Sequence, residues 1–305
     1  MIFGDGSNKE LSEGIAKALA VEIFYPEVDV FPDSEQRVRI NQRVVGEKIY
    51  LIKSITAPVD SAIMQITFLV DALKKNGADN VIGIIPYIPY MRADHMFRTG
   101  EAVPLEVIIK MIQDSGLDEI IIVDPHSIKI PELFSIKVHD LSALSLFATK
   151  IKEIEPKHAN ITIVSPDMGG IRRLKLIDEM LCGVNQVVIN KDRDYQTGEV
   201  NVAAFEGKIK GTCFIIDDII STGKTIAQAV ETLIKNGAHS ESSGQAEKVY
   251  VFGTHPVFSE NATELLQNLK AEKIFVTDSI PVPKEKHFKK LEVLSIAEII
   301  GSSIR

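Results

Sequence analysis

The sequence predicts an α/β protein of two tandem domains, each a mostly parallel sheet flanked by helices. Short β-branched apolar bursts recur along the chain, amphipathic helical patterns lie between them, and parts of the first half return in the second. The bursts are apolar at both odd and even positions, as strands covered on both faces are. Strands alternating with helices of this length indicate parallel βαβ connections.

In chain order, the first clear burst is KIYLI at 48–52. A helix follows over 61–75, where Ile63, Ile66, Val70 and Leu73 recur at spacings of three and four before Asn76-Gly77 stops it. NVIGII at 80–85 is the next strand. Pro104 suits the first turn of a helix carrying Leu105, Ile108 and Ile112, with Gly116 beyond its end. Strands are then expected at EIIIV (119–123), ITIV (161–164), QVVI (186–189) and CFII (213–216). A helix over 222–235 carries Ile226, Val230, Leu233 and Ile234 before Asn236-Gly237, and KVYVF (248–252) and KIFV (273–276) complete the series.

Two matches between the halves occur in the same order. LKKNGADNVIGIIPYIP (73–89) resembles LIKNGAHSESSGQAEKVYVFGTHPV (233–257), apart from an insertion rich in Ser and Gly, and VHDLSALSLFATKI (138–151) resembles LEVLSIAEIIGSSI (291–304). Together they argue for two copies of one fold. The expected boundary lies near residue 144, giving one domain of 1–144 plus about 288–305 and a second of 145–287.

Composition narrows the function classes. The 305 residues carry 34 basic and 42 acidic side chains, a formal charge of -8. A general nucleic-acid or anionic-membrane binder would usually have the opposite balance, so neither partner is expected. Cys182 and Cys213 are far apart and lack metal-ligand spacing; Cys213 sits in an apolar run as a small core residue would. Two cysteines form no disulfide framework, which suits a reducing cytoplasm. The opening MIFGDGSNKELSEGIAKAL shows no signal peptide, and no apolar run approaches the roughly 18 residues of a membrane span.

Polar clusters follow five of the expected strands: Tyr87 to Arg98, Asp124 to Ser127, Asp167-Met-Gly-Gly, Lys191-Asp-Arg193 and Asp217 to Thr225. Ligands of open α/β sheets bind at the carboxyl ends of strands. The last cluster, within FIIDDIISTGKT (214–225), ends in the Gly-Lys-Thr of a triphosphate P-loop. That motif needs a glycine five residues before Gly223, and the position holds Asp218. A carboxylate there, beside Asp217, would repel a triphosphate. Ser221, Thr222, Gly223, Lys224 and Thr225 instead offer N–H donors and hydroxyls to a single phosphate at a helix start. Asp217 and Asp218 can accept hydrogen bonds from vicinal hydroxyls or hold a divalent cation. A phosphate at one end and a diol at the other describe a ribose 5-phosphate moiety.

FIIDDIISTGKT resembles the phosphoribosyl-binding signature shared by type I phosphoribosyltransferases and ribose-phosphate pyrophosphokinases. FPDSEQRVRI (31–40), PYIPYMRADHMFRTGEAVP (86–104), VDPHS (123–127), VSPDMGG (164–170), NKDRDYQTGEV (190–200), GTHPVFS (253–259) and VTDSIP (276–281) resemble the pyrophosphokinases in order, over nearly the whole chain. The resemblance implies two phosphoribosyltransferase-like domains that move the β,γ-diphosphoryl group of ATP to the 1-hydroxyl of ribose 5-phosphate, with Mg²⁺ as cofactor. It implies ATP binding by Phe31, Asp33, Glu35, Arg92, Asp94 and His126, the first three in trans across a homodimer or larger homo-oligomer. It implies sugar-phosphate binding by Asp167, Asp217, Asp218 and Ser221 to Thr225, metal ligation by His126 and Asp167, and catalysis by Lys191 and Arg193 on a polar loop that closes over substrate.

The chain departs from the family pattern at Ala93, His95 and Met96, beside the nucleotide residues, and at Ser221 and Lys224 in the phosphate turn. Two other readings stay open at this point. One is a phosphoribosyltransferase consuming the product, the other a non-catalytic paralogue that binds a true synthetase. The double domain and the FPDSE segment weigh against the first, and intact Lys191, Arg193, His126, Asp217 and Asp218 against the second.

Overall fold

A computed structural model describes residues 1–304 except 157–159, 194–199 and 236–247, with 190–193 and 200–205 described in main chain only. The chain divides into two compact units. The first comprises Met1–Ser142, Ser279–Pro281 and Ser295–Arg305, the second Ala143–Asp278 and Val282–Leu294.

In the first unit, β1 (Ile2–Gly4), β2 (Ile23–Phe24), β5 (Lys48–Ile52), β6 (Asn80–Ile84), β7 (Glu119–Val123) and β8 (Lys137–Leu141) form one parallel sheet in the order β2-β1-β5-β6-β7-β8. The helices are α1 (Lys9–Leu19), α2 (Val59–Lys75) and α3 (Pro104–Asp114). α2 buries Ile63, Ile66, Leu69, Val70 and Leu73 on one stripe, and α3 opens on Pro104 at its first position. An antiparallel hairpin of β3 (Glu27–Val30) and β4 (Gln36–Arg39) stands apart as its own two-stranded sheet.

In the second unit the order is β11-β10-β9-β12-β13-β14-β15, built from β9 (Ile161–Ser165), β10 (Asn185–Arg193), β11 (Val200–Glu206), β12 (Thr212–Ile220), β13 (Val249–Pro256), β14 (Lys273–Thr277) and β15 (Leu291–Leu294). Every pairing is parallel except β10 with β11. Its helices are α4 (Leu144–Ile154), α5 (Ile171–Leu181), α6 (Lys224–Lys235) and α7 (Ala262–Asn268). Ile215, Val230, Leu233, Val251, Phe258 and Leu266 belong to the core between sheet and helices. Cys213 is buried there and unbridged, while Cys182 is exposed.

The two sheets share one topology. Each keeps its first strand inside the order, β1 second in one sheet and β9 third in the other, where antiparallel β11 extends the edge, so strand order reverses between β1 and β5 in one unit and between β9 and β12 in the other. A crevice opens at the carboxyl ends of strands at such a reversal. The last strand of each repeat is followed by a helix assigned to the other unit: α4 packs on α5 in the second, and α8 (Ala297–Ile304) packs on α1 in the first. Gly14 and Gly301 permit the latter approach, since a Cβ on Gly14 would lie 2.9 Å from that of Ala297, and one on Gly301 3.0 Å from that of Ala18. No helix among the described residues is long and apolar enough to cross a membrane.

Two expected strand ends move. The strand expected to stop at Ile216 runs on to Ile220, because β13 continues beside it and pairs Asp217 with Gly253 and Ile219 with His255. The expected polar loop at Lys191 to Arg193 is instead the end of β10, held opposite Val202, Asn201 and Val200 of β11.

Candidate functional site

In the second unit the crevice between β9 and β12 gathers the residues expected around a sugar phosphate. All five residues of β9 are buried, and the chain turns sharply after Ser165 into α5. Asp167 caps the 3₁₀ turn Met168–Gly170, its Oδ1 accepting the Gly169 N–H at 2.9 Å, while Ser165 Oγ donates to the Asp167 carbonyl at 2.7 Å. Gly170 is needed for this closeness, since a Cβ there would lie 2.2 Å from Ser165 Oγ.

Across the crevice, Asp217 and Asp218 lie within β12 and are buried. Asp217 Oδ1 accepts the Asp218 N–H at 2.9 Å. Arg173, from the first turn of α5, places Nη2 3.2 Å from Asp218 Oδ1 and Nη1 4.0 Å from Asp217 Oδ1. Burial pushes the Asp217 carboxyl well above the usual carboxylate range, with the negative charge of Asp218 adding to the rise and Arg173 opposing it.

Ser221, Thr222 and Gly223 follow, then α6 begins at Lys224. The first turn of a helix carries N–H groups without intrahelical partners and the positive end of the helix dipole. Gly223 has φ +77°, which a side chain would strain. Its carbonyl accepts the Ala227 N–H at 2.9 Å. The turn is tied to the loop after β13, where Ser221 and Ser259 hydroxyls meet at 2.8 Å and the Ser221 carbonyl accepts the Ser259 N–H at 3.1 Å. Lys224 Nζ lies 3.7 Å from Glu260, both largely exposed, and Thr222 and Thr225 are half-buried.

Lys191 and Arg193 are placed by main chain alone, on the β10–β11 ribbon; their side chains lie outside the described residues.

The residues expected around a nucleotide lie in the first unit. Phe31, Asp33 and Glu35 form the turn of the β3–β4 hairpin: the Phe31 N–H donates to the Glu35 carbonyl at 2.8 Å, and Asp33 Oδ1 accepts the Glu35 N–H at 3.1 Å. Phe31 is 42% exposed with the Arg37 guanidinium 5.7 Å from its ring centre, so the turn presents an aromatic face to solvent. Gln36 Nε2 ties the hairpin to α2 by donating to Ser61 Oγ at 2.5 Å.

Arg92 and Asp94 follow β6, and His126 follows its neighbour β7, so topology brings these segments to adjacent strand ends. Tyr90 has φ +65° and donates its hydroxyl to Asp60 at 2.9 Å, which fixes the turn carrying exposed Arg92. Asp94 pairs with His95 at 2.7 Å. Asp124, at φ +40°, accepts the Ser142 hydroxyl at 2.6 Å and sets the loop that presents exposed His126.

Sequence reasoning missed Arg173 and Ser259, which reach the acidic pair and the turn at Ser221 from distant segments. It also missed the first unit's own crevice between β1 and β5. There Lys53, 2% exposed, donates to Asp5 and to Gln65 at 2.5 Å, and Asp5 accepts the Ser7 N–H at 3.0 Å. The position that holds a carboxylate pair and the Ser221 to Gly223 turn in the second unit is filled in the first by the protein's own ion pair.

Comparison with known proteins agrees across the chain. Residues 1–116 match the model of the N-terminal domain of ribose phosphate pyrophosphokinase, and 189–305 that of the phosphoribosyl synthetase-associated domain. Ribose-phosphate pyrophosphokinase 1 of Streptococcus pneumoniae is 32% identical over 305 residues, covering 99% of this chain and 92% of its own. The Aquifex aeolicus ribose-phosphate pyrophosphokinase is 34% identical over 306 residues, 100% of this chain and 94% of its own. The phosphoribosylpyrophosphate synthetase structure from Mycobacterium smegmatis superposes with TM-score 0.90 at 31% identity, covering 100% and 97% of the two chains.

Proposed function

The chain belongs to the ribose-phosphate pyrophosphokinase family, and from that premise we propose how its residues divide the reaction. The enzyme transfers the β,γ-diphosphoryl group of ATP to the 1-hydroxyl of ribose 5-phosphate, giving 5-phosphoribosyl 1-pyrophosphate and AMP. The observation that carries the assignment is the buried Asp217-Asp218 pair running into the Ser221 to Thr225 turn at the strand-order reversal of the second unit. The 5-phosphate rests on that turn, and the ribose hydroxyls donate to Asp217, Asp218 and Asp167.

In the first unit, Arg92, Asp94 and His126 serve the triphosphate. Phe31, Asp33 and Glu35 serve the adenine of a second copy of the chain in a homodimer or larger assembly; the solvent-facing Phe31 ring supports this role. The 1-hydroxyl oxygen forms a bond to the β-phosphorus as its proton passes to water, the bond between that phosphorus and the α,β-bridging oxygen breaks, and AMP leaves with the electron pair. Charge spreads over phosphate oxygens in such a transfer, so positioned cations matter more than a covalent nucleophile. Lys191 and Arg193 supply two of them from the β10–β11 ribbon.

Mg²⁺ suits the donor set. Among the described residues no group of three His, Cys, Asp or Glu side chains stands ready for a metal. Such an ion commonly takes one or two carboxylates and completes its shell with substrate phosphates and water. His126 after β7 in the first unit and Asp167 at the end of β9 in the second are the protein groups assigned to metal ligation, each within its own unit. When bound, the ion neutralises developing charge on the phosphate oxygens. Composition and the family's chemistry support a cytoplasmic location.

The decisive assay is AMP release from ATP and Mg²⁺ with and without ribose 5-phosphate. Sugar-dependent AMP is expected. Its absence would overturn the assignment, and base-dependent consumption of phosphoribosyl pyrophosphate would replace it with a phosphoribosyltransferase. Lys191→Ala should cut kcat about a thousandfold or more at unchanged thermal stability, the loss typical of a transition-state cation.

A further inference from the structure

We propose that Arg173 is a positioning residue for the sugar half of the reaction: it fixes Asp217 and Asp218 as a receptor for the ribose diol and supplies, from the protein, the counter-charge that a divalent cation would otherwise bring to the pair. The inference rests on the function proposed above and adds a residue to it.

Arg173 lies on the first turn of α5, next to Leu174, which with Ile177 and Leu181 forms the buried stripe of that helix. Its side chain is itself only 14% exposed and runs inward, towards β12. A lone arginine in that position requires a partner, since buried charge is costly unless paired. It meets two carboxylates on consecutive residues, at 3.2 Å and 4.0 Å. Gly170 keeps the path open: a Cβ there would stand 3.2 Å from Arg173 Nη1.

Stability is a weak reason for this arrangement, because a buried ion pair replaced by apolar residues of like volume often costs nothing. Geometry is a stronger one. A guanidinium is a planar fork that sets one donor on Asp218 at 3.2 Å while holding its charge 4.0 Å from Asp217, whereas an ammonium is a point charge. Two neighbouring carboxylates repel each other, and Asp167 adds a third negative charge nearby. Without Arg173 they would either splay apart or recruit a cation between them. With it, the pair stays close and is already partly neutralised, and a neutral diol can bind without displacing a metal ion.

The test compares the full-length wild type with Arg173→Met and Arg173→Lys. Arg173→Met should raise KM for ribose 5-phosphate ten- to a hundredfold and leave KM for ATP within about twofold. Arg173→Lys should recover part of the loss through one contact to Asp218. Binding of Mn²⁺ alone, followed by electron paramagnetic resonance, should rise by one ion per chain in Arg173→Met over wild type and fall back in Arg173→Lys. Should the methionine variant fold poorly, Arg173→Ala with added guanidinium chloride at millimolar level serves instead, where restored sugar affinity is expected. Unchanged KM for ribose 5-phosphate in an active Arg173→Met enzyme would overturn the proposal, as would equal rises in both KM values with no added Mn²⁺ site. A wild type without sugar-dependent AMP release would instead refute the enzyme assignment itself.

Discussion

Gly253→Ala probes how closely the phosphate turn depends on the sheet behind it. Gly253 sits on β13 opposite Asp217, and a Cβ at this position would lie 2.5 Å from both Cγ1 and Cδ1 of Ile220. That is roughly 0.9 Å inside ordinary van der Waals contact, and Ile220, buried at the end of β12, has little room to yield. Overpacking of this kind costs about 1–3 kcal/mol. For a unit of this size the melting temperature should fall by roughly 2–12 °C. Ile220 immediately precedes Ser221, so its displacement is passed to the phosphate turn, and a misplacement near 1 Å costs on the order of a hundredfold in rate. The assay is a double-mutant cycle read by thermal melting and by kcat/KM for ribose 5-phosphate. Ile220→Ala alone should cost about 2–5 kcal/mol. With Ala at 220 the clashing atoms are gone, so adding Gly253→Ala should cost almost nothing further. Additive losses would show that the glycine is not there to make space for Ile220, and the reasoning would fail.

Asp217→Asn should raise the melting temperature at pH 7 while weakening ribose 5-phosphate binding. Because burial raises the folded-state pKa of this carboxyl, its ionisation opposes folding; the opposition is absent below the unfolded carboxylate range and grows as pH rises, so the gain should shrink towards acid. Glu119→Gln should have the opposite sign. Its pKa is held down by the His139 bond, so its contribution is present at neutral pH and lost as pH falls, with less than about 1 kcal/mol at stake by comparative melts at pH 7 and pH 3. Lys224→Ala should raise KM for ribose 5-phosphate about tenfold at low salt and Glu260→Gln should lower it, since Glu260 competes for the same ammonium; both effects should fade as ionic strength screens them.

The buried strands were legible because Ile, Val and Phe run through them at both parities. The hairpin of β3 and β4 was not, since each strand is only four residues long and mostly exposed, too short for the alternation of Val28, Val30 and Val38 with charged residues to stand out. Asp217 and Asp218 read as the end of a strand because carboxylates normally leave a core, and only the continuing partner β13 keeps them inside the sheet. Lys191 to Arg193 read as loop for the same reason, their strand depending on a partner some ten residues onward. The turn ahead of α6 was legible since glycine, hydroxyls and helix start are contiguous. Arg173 was not, as its partners lie more than forty residues away and nothing local marks an inward-facing arginine.

The crossing of α4 and α8 between units also governs the order in which the molecule can be made. A nascent chain that has delivered residues 1–142 still lacks α8, and with it the cover over α1 that Ala297, Ile300 and Gly301 provide. Burying Ile300 alone contributes about 1.5–3 kcal/mol. The first unit therefore gains its full cover only once residues 297–304 have joined it, after the whole of the second unit's sequence has been made.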